Sequence, residues 1–122
     1  METQWRDDQP IYLQLQDRIK SMILDGSLAE GEALPSVRKV AAQFQVNPMT
    51  VMKSYQLLVD DGLVEKRRGR GMFCTEGARS RLLEQEKLHF ISEEWPRIVD
   101  RMRRLGIAPE HLLAILSKEK KE

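Results

Sequence analysis

The sequence contains few of the residues on which catalysis, metal binding and membrane insertion depend. Its only cysteine, Cys74, cannot form an intrachain disulfide, and with two histidines it provides no metal-ligand cluster at the usual spacings. No apolar run approaches the ~18 residues of a membrane span, and the N-terminal METQWRDDQP lacks the apolar core of a secretory signal. No phosphate-binding glycine loop and no nucleophile motif is present. We therefore expect a cytoplasmic protein that is not an enzyme, has no cofactor and makes no membrane contact.

Over the whole chain, basic and acidic side chains are nearly equal in number. The 122 residues contain 20 basic and 19 acidic side chains, which gives a net charge of +1. This total argues against a generally basic nucleic-acid binder. The distribution is uneven, however, because residues 1–35 have a net charge of −4, residues 36–75 of +4 and residues 76–122 of +1. A basic middle segment is therefore concealed by a near-neutral total.

Apolar periodicity predicts two helices in the first third of the chain. The first is amphipathic, starts at Pro10 with Asp8 as its cap, and stops at Gly26, a natural C-terminal residue for a helix. Residues 27–35 contain glycine and proline and are expected to form a loop. The hydroxyl of Ser36 is suited to cap a second helix of two to three turns.

A third helix and a hairpin follow. A tight turn at residues 45–46 leads to Asn47, which is expected to cap a helix that ends at Gly62. Beyond Gly62, two short β-like runs at residues 63–66 and 72–75 flank a glycine-containing basic segment, which predicts a hairpin. This order of elements predicts a mainly α fold, namely a winged helix-turn-helix domain with a small β-hairpin wing and a C-terminal helical segment.

The last third of the chain is predicted to be helical from residue 78 to 105, with a final helix from Pro109. Pro96 is expected to kink or break the first of these near residues 92–96, because it cannot donate a hydrogen bond to the carbonyl of Ser92. A heptad-like apolar seam favours a dimer interface, although an intrachain core is the alternative. The dimerisation candidates are Leu88, Ile91, Trp95, Ile98, Met102, Leu105, Leu112 and Leu116. The expected domains are residues 1–76 for DNA binding and 77–122 for dimerisation.

Small polar side chains at the start of the third helix are suited to contact base edges in the major groove of DNA. The hairpin tip carries cations beside glycines, which allow a close approach to the DNA backbone or minor groove. The residues expected at the DNA are Arg38, Asn47, Met49, Thr50, Lys53, Arg67, Arg68, Gly69 and Arg70. Taken singly, each has a simpler explanation, since Asn47 can be only a helix cap and the hairpin only a soluble turn. Their combination in this order favours DNA binding.

Several motif blocks also resemble the GntR family of bacterial transcription regulators. They are PIYLQL from residue 10, LPSVR from residue 34, VNPMTV from residue 46, and GLV from residue 62 followed by RGRG from residue 68. The similarity covers residues 9–75, and the short remaining segment resembles the YtrA-type subfamily, which has a two-helix dimerisation appendage. Met49, Gln45 and Pro96 depart from that subfamily's pattern.

The resemblance implies a homodimer that binds an inverted-repeat operator in double-stranded DNA, as a repressor, in some members at genes for ABC transporters. It also places Ser36 at the DNA, together with Arg38, Asn47, Thr50 and the wing. A small-molecule effector is left open. The alternative function is a winged-helix protein-interaction module without sequence-specific DNA binding, for which a cationic wing would have no use.

Overall fold

The computed structural model of the chain describes residues 5–119. Within that range the molecule is mainly helical, with one two-stranded antiparallel hairpin, as the sequence predicts. The elements are α1 Ile11–Asp25, α2 Val37–Phe44, α3 Pro48–Asp60, β1 Val64–Arg67, β2 Gly71–Cys74, α4 Ala78–His89, a π-helical turn Phe90–Glu94, α5 Trp95–Arg104 and α6 Pro109–Glu119. No helix in residues 5–119 has both the length and the apolar character needed to cross a membrane.

The chain divides into two compact units, one ending at Glu84 and the other beginning at Gln85. The division lies inside α4 rather than between residues 76 and 77. The reason is that Ala78 and Leu82, on the first turns of α4, are completely buried in the core of the first unit. The assignment of DNA binding and dimerisation to separate segments stays a prediction.

The first unit is organised around α3. Its side chains Val51, Tyr55 and Leu58 are at most 1% exposed and contact apolar residues from α1 and α2. Leu15 and Ile23 on α1, spaced at multiples of four residues, are buried in the same core. Burial of this amphipathic stripe is the main favourable term in folding of such a helix.

Local caps set the bounds of α2 and α3. The Ser36 hydroxyl accepts a hydrogen bond from the Lys39 N–H at 3.2 Å, and the Asn47 side chain accepts one from the Met49 N–H at 2.8 Å. Both predicted caps are therefore confirmed. The prediction for α1 is wrong, because no side chain caps this helix at its N-terminus and Pro10, not Asp8, occupies the cap position.

The hairpin pairs Val64 with Cys74 and Arg67 with Gly71, one residue away from the predicted strand limits. The expectation of a plain loop at residues 27–35 is incomplete. Its end is extended and pairs with the other edge of β2, where Ala33 forms an antiparallel bridge with Phe73. The Leu34 N–H donates to the Met72 carbonyl at 2.8 Å and the Cys74 N–H to the Glu32 carbonyl at 2.9 Å. β2 is thus paired on both edges, with β1 on one side and with the end of this loop on the other.

Glu30, in the same loop, anchors the start of α4. Its two carboxylate oxygens accept hydrogen bonds from the N–H groups of Gly77 and Arg79, at 2.8 and 3.2 Å. These bonds satisfy donors that a helix leaves free at its N-terminus, and they favour the ionised carboxylate. They hold the pKa of Glu30 below its ordinary value of 4.5.

The second unit consists of the end of α4, the π-helical turn, α5 and α6. No side chain in residues 85–119 is buried. The interruption expected near Pro96 takes the form of a π-helical turn rather than a break. The Trp95 N–H donates to the carbonyl of Phe90, five residues earlier. The Ser92 hydroxyl donates to the Leu88 carbonyl at 2.8 Å. A widened turn of this kind accommodates a residue that cannot continue the regular hydrogen-bond ladder.

Candidate nucleic-acid interface

Asn47 and Met49 are exposed at the N-terminus of α3. The Asn47 carboxamide oxygen is engaged as the helix cap, and because the cap uses only this oxygen, the NH2 group of the side chain remains able to donate to a base. Asn47 can therefore cap the helix and contact DNA at the same time. Thr50, one turn into the helix, is half-buried, so its side chain is less accessible than the sequence pattern indicates.

The outward face of α3 carries Met49, Met52, Lys53 and Gln56, all exposed. These positions are three or four residues apart and therefore share one face. Met52 was not among the predicted contacts, although its position three residues after Met49 is the signal that identifies it. The residues that a groove-bound α3 would present first are thus two methionines, a lysine and a glutamine.

Lys53 lies over an aromatic ring from α1. Its Nζ atom is 4.1 Å from the centroid of the Tyr12 ring, within the range of a cation–π contact. The Ser54 hydroxyl also donates to the Tyr12 carbonyl oxygen at 2.5 Å. The start of α1 is therefore joined to α3, and the ring holds the ammonium group beside the exposed face of that helix.

The turn between α2 and α3 has an unusual backbone. Gln45 has φ 55°, and among residues 5–119 it is the only non-glycine residue with positive φ. Glycine adopts this left-handed conformation freely, whereas it is modestly unfavourable for a residue with a side chain such as glutamine. The Gln45 and Val46 N–H groups both donate to the Ala41 carbonyl, which closes the turn.

A buried hydroxyl connects α3 to the segment before α2. The Tyr55 side chain donates to the Pro35 carbonyl at 2.7 Å, and burial raises the pKa of Tyr55 to about 12. The next residues along the chain, Ser36 and Arg38, are exposed. The bond therefore sets the position of α2, and with it Arg38, relative to α3.

The wing has cations in two different environments. The Arg67 guanidinium carbon is 4.2 Å from the Phe73 ring centroid, and its Nε is 3.1 Å from a Glu65 carboxylate oxygen. Arg70 lies 5.8 Å from the same ring. Arg68, at the tip beside Gly69, is exposed and makes no ion pair or ring contact within residues 5–119. Phe73 was not predicted to take part, and its position directly across from Glu65 in the hairpin could have revealed it.

Comparison with known proteins identifies the family. The family model described as bacterial regulatory proteins, gntR family, matches residues 11–74, from the start of α1 to the end of β2. The chain belongs to the GntR family. This membership agrees with the winged helix-turn-helix fold, and it makes the chain a relative of DNA-binding transcription regulators.

Two curated relatives of this GntR-family chain come from Bacillus subtilis strain 168. The uncharacterized HTH-type transcriptional regulator YhcF is 36% identical over 113 residues, which cover 93% of this chain and 92% of YhcF. The HTH-type transcriptional repressor YtrA is 36% identical over 107 residues, which cover 88% of this chain and 82% of YtrA. The similarity therefore extends past the first unit into the second.

Solved structures agree on the fold. A transcriptional regulator from Oenococcus oeni has a TM-score of 0.79 and 28% identity, covering 97% of this chain and 95% of that one. The DNA-binding domain of AraR, solved in complex with operator ORX1, has a TM-score of 0.54 and 26% identity, covering 62% of this chain and 92% of that one.

The second unit of this GntR-family chain exposes its apolar side chains. Their exposed fractions range from 38% for Leu112 to 69% for Leu88, and Met102 is half-buried. This set contains all eight predicted dimerisation residues, together with Phe90, Leu113 and Ile115, which the heptad spacing missed. Within residues 5–119 these side chains form no buried core of their own, and an exposed set of apolar side chains of this size is typical of protein interfaces. Residues 5–119 contain no cluster of three or more metal-ligating side chains.

Proposed function

We propose that this GntR-family chain is a homodimeric repressor that binds an inverted-repeat operator in double-stranded DNA. Each protomer would insert the N-terminal part of α3 into the major groove and place its wing against the backbone. The observation that carries the proposal is the joint exposure, on one compact unit, of the outward face of α3 and the cation at the wing tip. In a helix-turn-helix with this order, the first reads bases and the second contacts phosphates.

The dimer is supported by the second unit. A surface that includes Leu88, Ile91, Leu105 and Leu116, each more than 60% exposed, is costly to leave in water and is stabilised when a second copy covers it. A dimer also binds two half-sites at once, so a modest affinity for each half-site gives a much higher affinity for the whole operator. A two-fold axis makes the operator an inverted repeat.

Repression is supported by the name of the relative YtrA, an HTH-type transcriptional repressor whose sequence aligns over most of this chain. By the resemblance to that subfamily, the controlled genes would include those of an ABC transporter. Chromatin immunoprecipitation from cells with and without the gene, combined with transcript levels, tests both the identity of the controlled genes and the sign of regulation. Occupied promoters whose transcripts fall on deletion of the gene would contradict repression.

DNA binding is tested by selecting duplexes from a random-sequence pool and measuring affinity by fluorescence anisotropy. Arg38→Ala and Thr50→Ala are expected to lower discrimination between the selected and random duplexes by about 1–3 kcal/mol each. Arg97→Ala, which removes an exposed cation from the second unit, is the matched control and should change neither affinity nor discrimination.

The outcomes separate the alternatives. Enrichment of no sequence, together with no salt-sensitive binding, would overturn the proposal in favour of a protein-interaction module. Equal losses on selected and random DNA for Arg38→Ala and Thr50→Ala would refute their base-reading role. Sedimentation of the free protein as a monomer at micromolar concentration would refute the dimer.

A further inference from the structure

Two methionines on α3 are exposed to an extent that the fold does not require. Met49 is 73% exposed and Met52 is 56% exposed, one helical turn apart on the same face. Other methionines of residues 5–119 behave differently, since Met22 and Met72 pack against the core. Single apolar side chains on a surface are ordinary, but two adjacent ones on the outward face of a groove-binding helix leave a small apolar patch.

The neighbours of this patch indicate what covers it. Lys53 directly follows Met52 and presents a cation, and Asn47 and Thr50 present polar groups on the same turn of α3. The surface is therefore apolar at its centre and suited at its rim to phosphate and base edges. A methionine side chain is flexible and has only a weak hydrogen-bond acceptor, so it cannot read polar base edges.

In the major groove, the thymine C5-methyl group is the apolar feature among the donors and acceptors that distinguish base pairs. We propose that Met49 and Met52 determine specificity by contacting thymine methyl groups in each half-site. The proposal rests on the DNA-binding function proposed above and adds a chemical identity for the bases that this helix selects. A 5-methylcytosine, which carries its methyl group at the same ring position, would fit the same contact.

Replacing thymine with uracil removes only this methyl group from the duplex and leaves base pairing intact. The probe is a duplex that the protein has selected from a random pool, with each thymine replaced singly by uracil. Burial of one methyl-sized group corresponds to about a four-fold change in affinity, so at least one thymine per half-site should show a loss of that size. For symmetric double replacements the loss should be about fifteen-fold.

Protein variants assign the contact to a side chain. With Met49→Ala or Met52→Ala, the uracil penalty at the corresponding thymine should fall to less than two-fold, whereas Met49→Leu, which keeps an apolar side chain, should retain most of it. Arg97→Ala, which changes an exposed side chain of the second unit, is the control and should leave every uracil penalty unchanged. Thermal unfolding of the variants shows whether α3 remains folded.

Each outcome has a definite meaning. Selection of a defined operator with uracil penalties below two-fold at every thymine overturns this inference and leaves the proposed function standing. Uracil penalties that persist unchanged in the alanine variants also overturn it, because another residue then reads the methyl group. A variant that combines Met49→Ala with Met52→Ala distinguishes a further case. If the sedimentation coefficient of this free variant changes while the uracil penalties stay the same, the patch is assigned to contact between protein copies instead. Enrichment of no sequence would overturn the proposed function itself.

Discussion

The environments of the wing arginines lead to a prediction about the salt dependence of DNA binding. Arg68 is exposed at the hairpin tip without an internal partner in residues 5–119, so its full charge is available to a phosphate. Arg67, one residue before it, is held between the Glu65 carboxylate and the Phe73 ring. We therefore expect Arg68→Ala to remove a phosphate contact. Arg67→Ala should weaken phosphate contacts much less.

The magnitude follows from counterion release. Each neutralised phosphate contributes about 0.9 to the slope of log K against log salt concentration, so the loss of two contacts in the proposed dimer should make the slope shallower by about 1.8. Between 50 and 200 mM salt, this difference means that the wild-type protein should lose about twelve-fold more affinity than Arg68→Ala. Because phosphate contacts are independent of base sequence, the change should be similar on operator and random duplexes.

The assay is fluorescence anisotropy of a labelled duplex in a series of potassium chloride concentrations. Arg67→Ala is the matched comparison, since it removes the same charge one position away, and its slope should lie close to that of the wild type. Two results would refute the reasoning: an Arg68→Ala slope equal to that of the wild type, or equal slope changes for the two variants. The first would mean that Arg68 does not reach a phosphate, and the second that the contacts of Arg67 do not restrain it.

Three further predictions concern stability, pH and the position of Lys53. Leu58→Ala should lower the free energy of unfolding by about 2–5 kcal/mol in chemical denaturation, because the wild-type side chain is completely buried. The pKa of Glu30 is lowered from its ordinary value of 4.5 by folding, so the ionised side chain stabilises the fold at pH values above 4.5. This contribution is lost as the pH falls through the lowered pKa. In thermal melts from pH 7 to 3, Glu30→Gln should therefore lose less stability on acidification than the wild type, and parallel curves would contradict this. Tyr12→Leu should weaken operator binding about two- to five-fold while Tyr12→Phe does not, and an equal loss in a Lys53→Met background would show that the ring does not act through the lysine.

Features that depend on neighbours within a few residues could be predicted from the sequence. The Ser36 and Asn47 caps involve N–H groups two or three positions along the chain, and both form as expected. The hairpin was predictable for the same reason, because two β-prone runs and the glycines between them are adjacent. The left-handed backbone at Gln45 follows from the short turn that joins α2 to α3.

Features that depend on distant contacts were missed. The pairing of Ala33 with Phe73 joins segments 40 residues apart, and no local pattern indicates it. The Lys53 contact with Tyr12 is similar, since it needs α1 and α3 to be packed first. Sequence spacing placed Lys53 on an exposed face but could not show that an aromatic ring supports it.

Net charge and the distribution of free charge are separate properties of this chain. The +4 of residues 36–75 suggests a strongly cationic surface, yet Arg67 is paired with Glu65, and the rings of Tyr12 and Phe73 lie beneath Lys53 and Arg67. Long-range attraction to DNA follows the net charge, which already counts Glu65 and is not lowered by a ring contact, whereas direct contact with phosphates depends on which cations are free. Arg67 is less free to make such a contact than Arg68. The proposed dimer would double the number of such contacts without raising the charge density of either protomer. On this basis, loss of the proposed apolar interface in the second unit should abolish operator binding even where every side chain expected at the DNA remains in place.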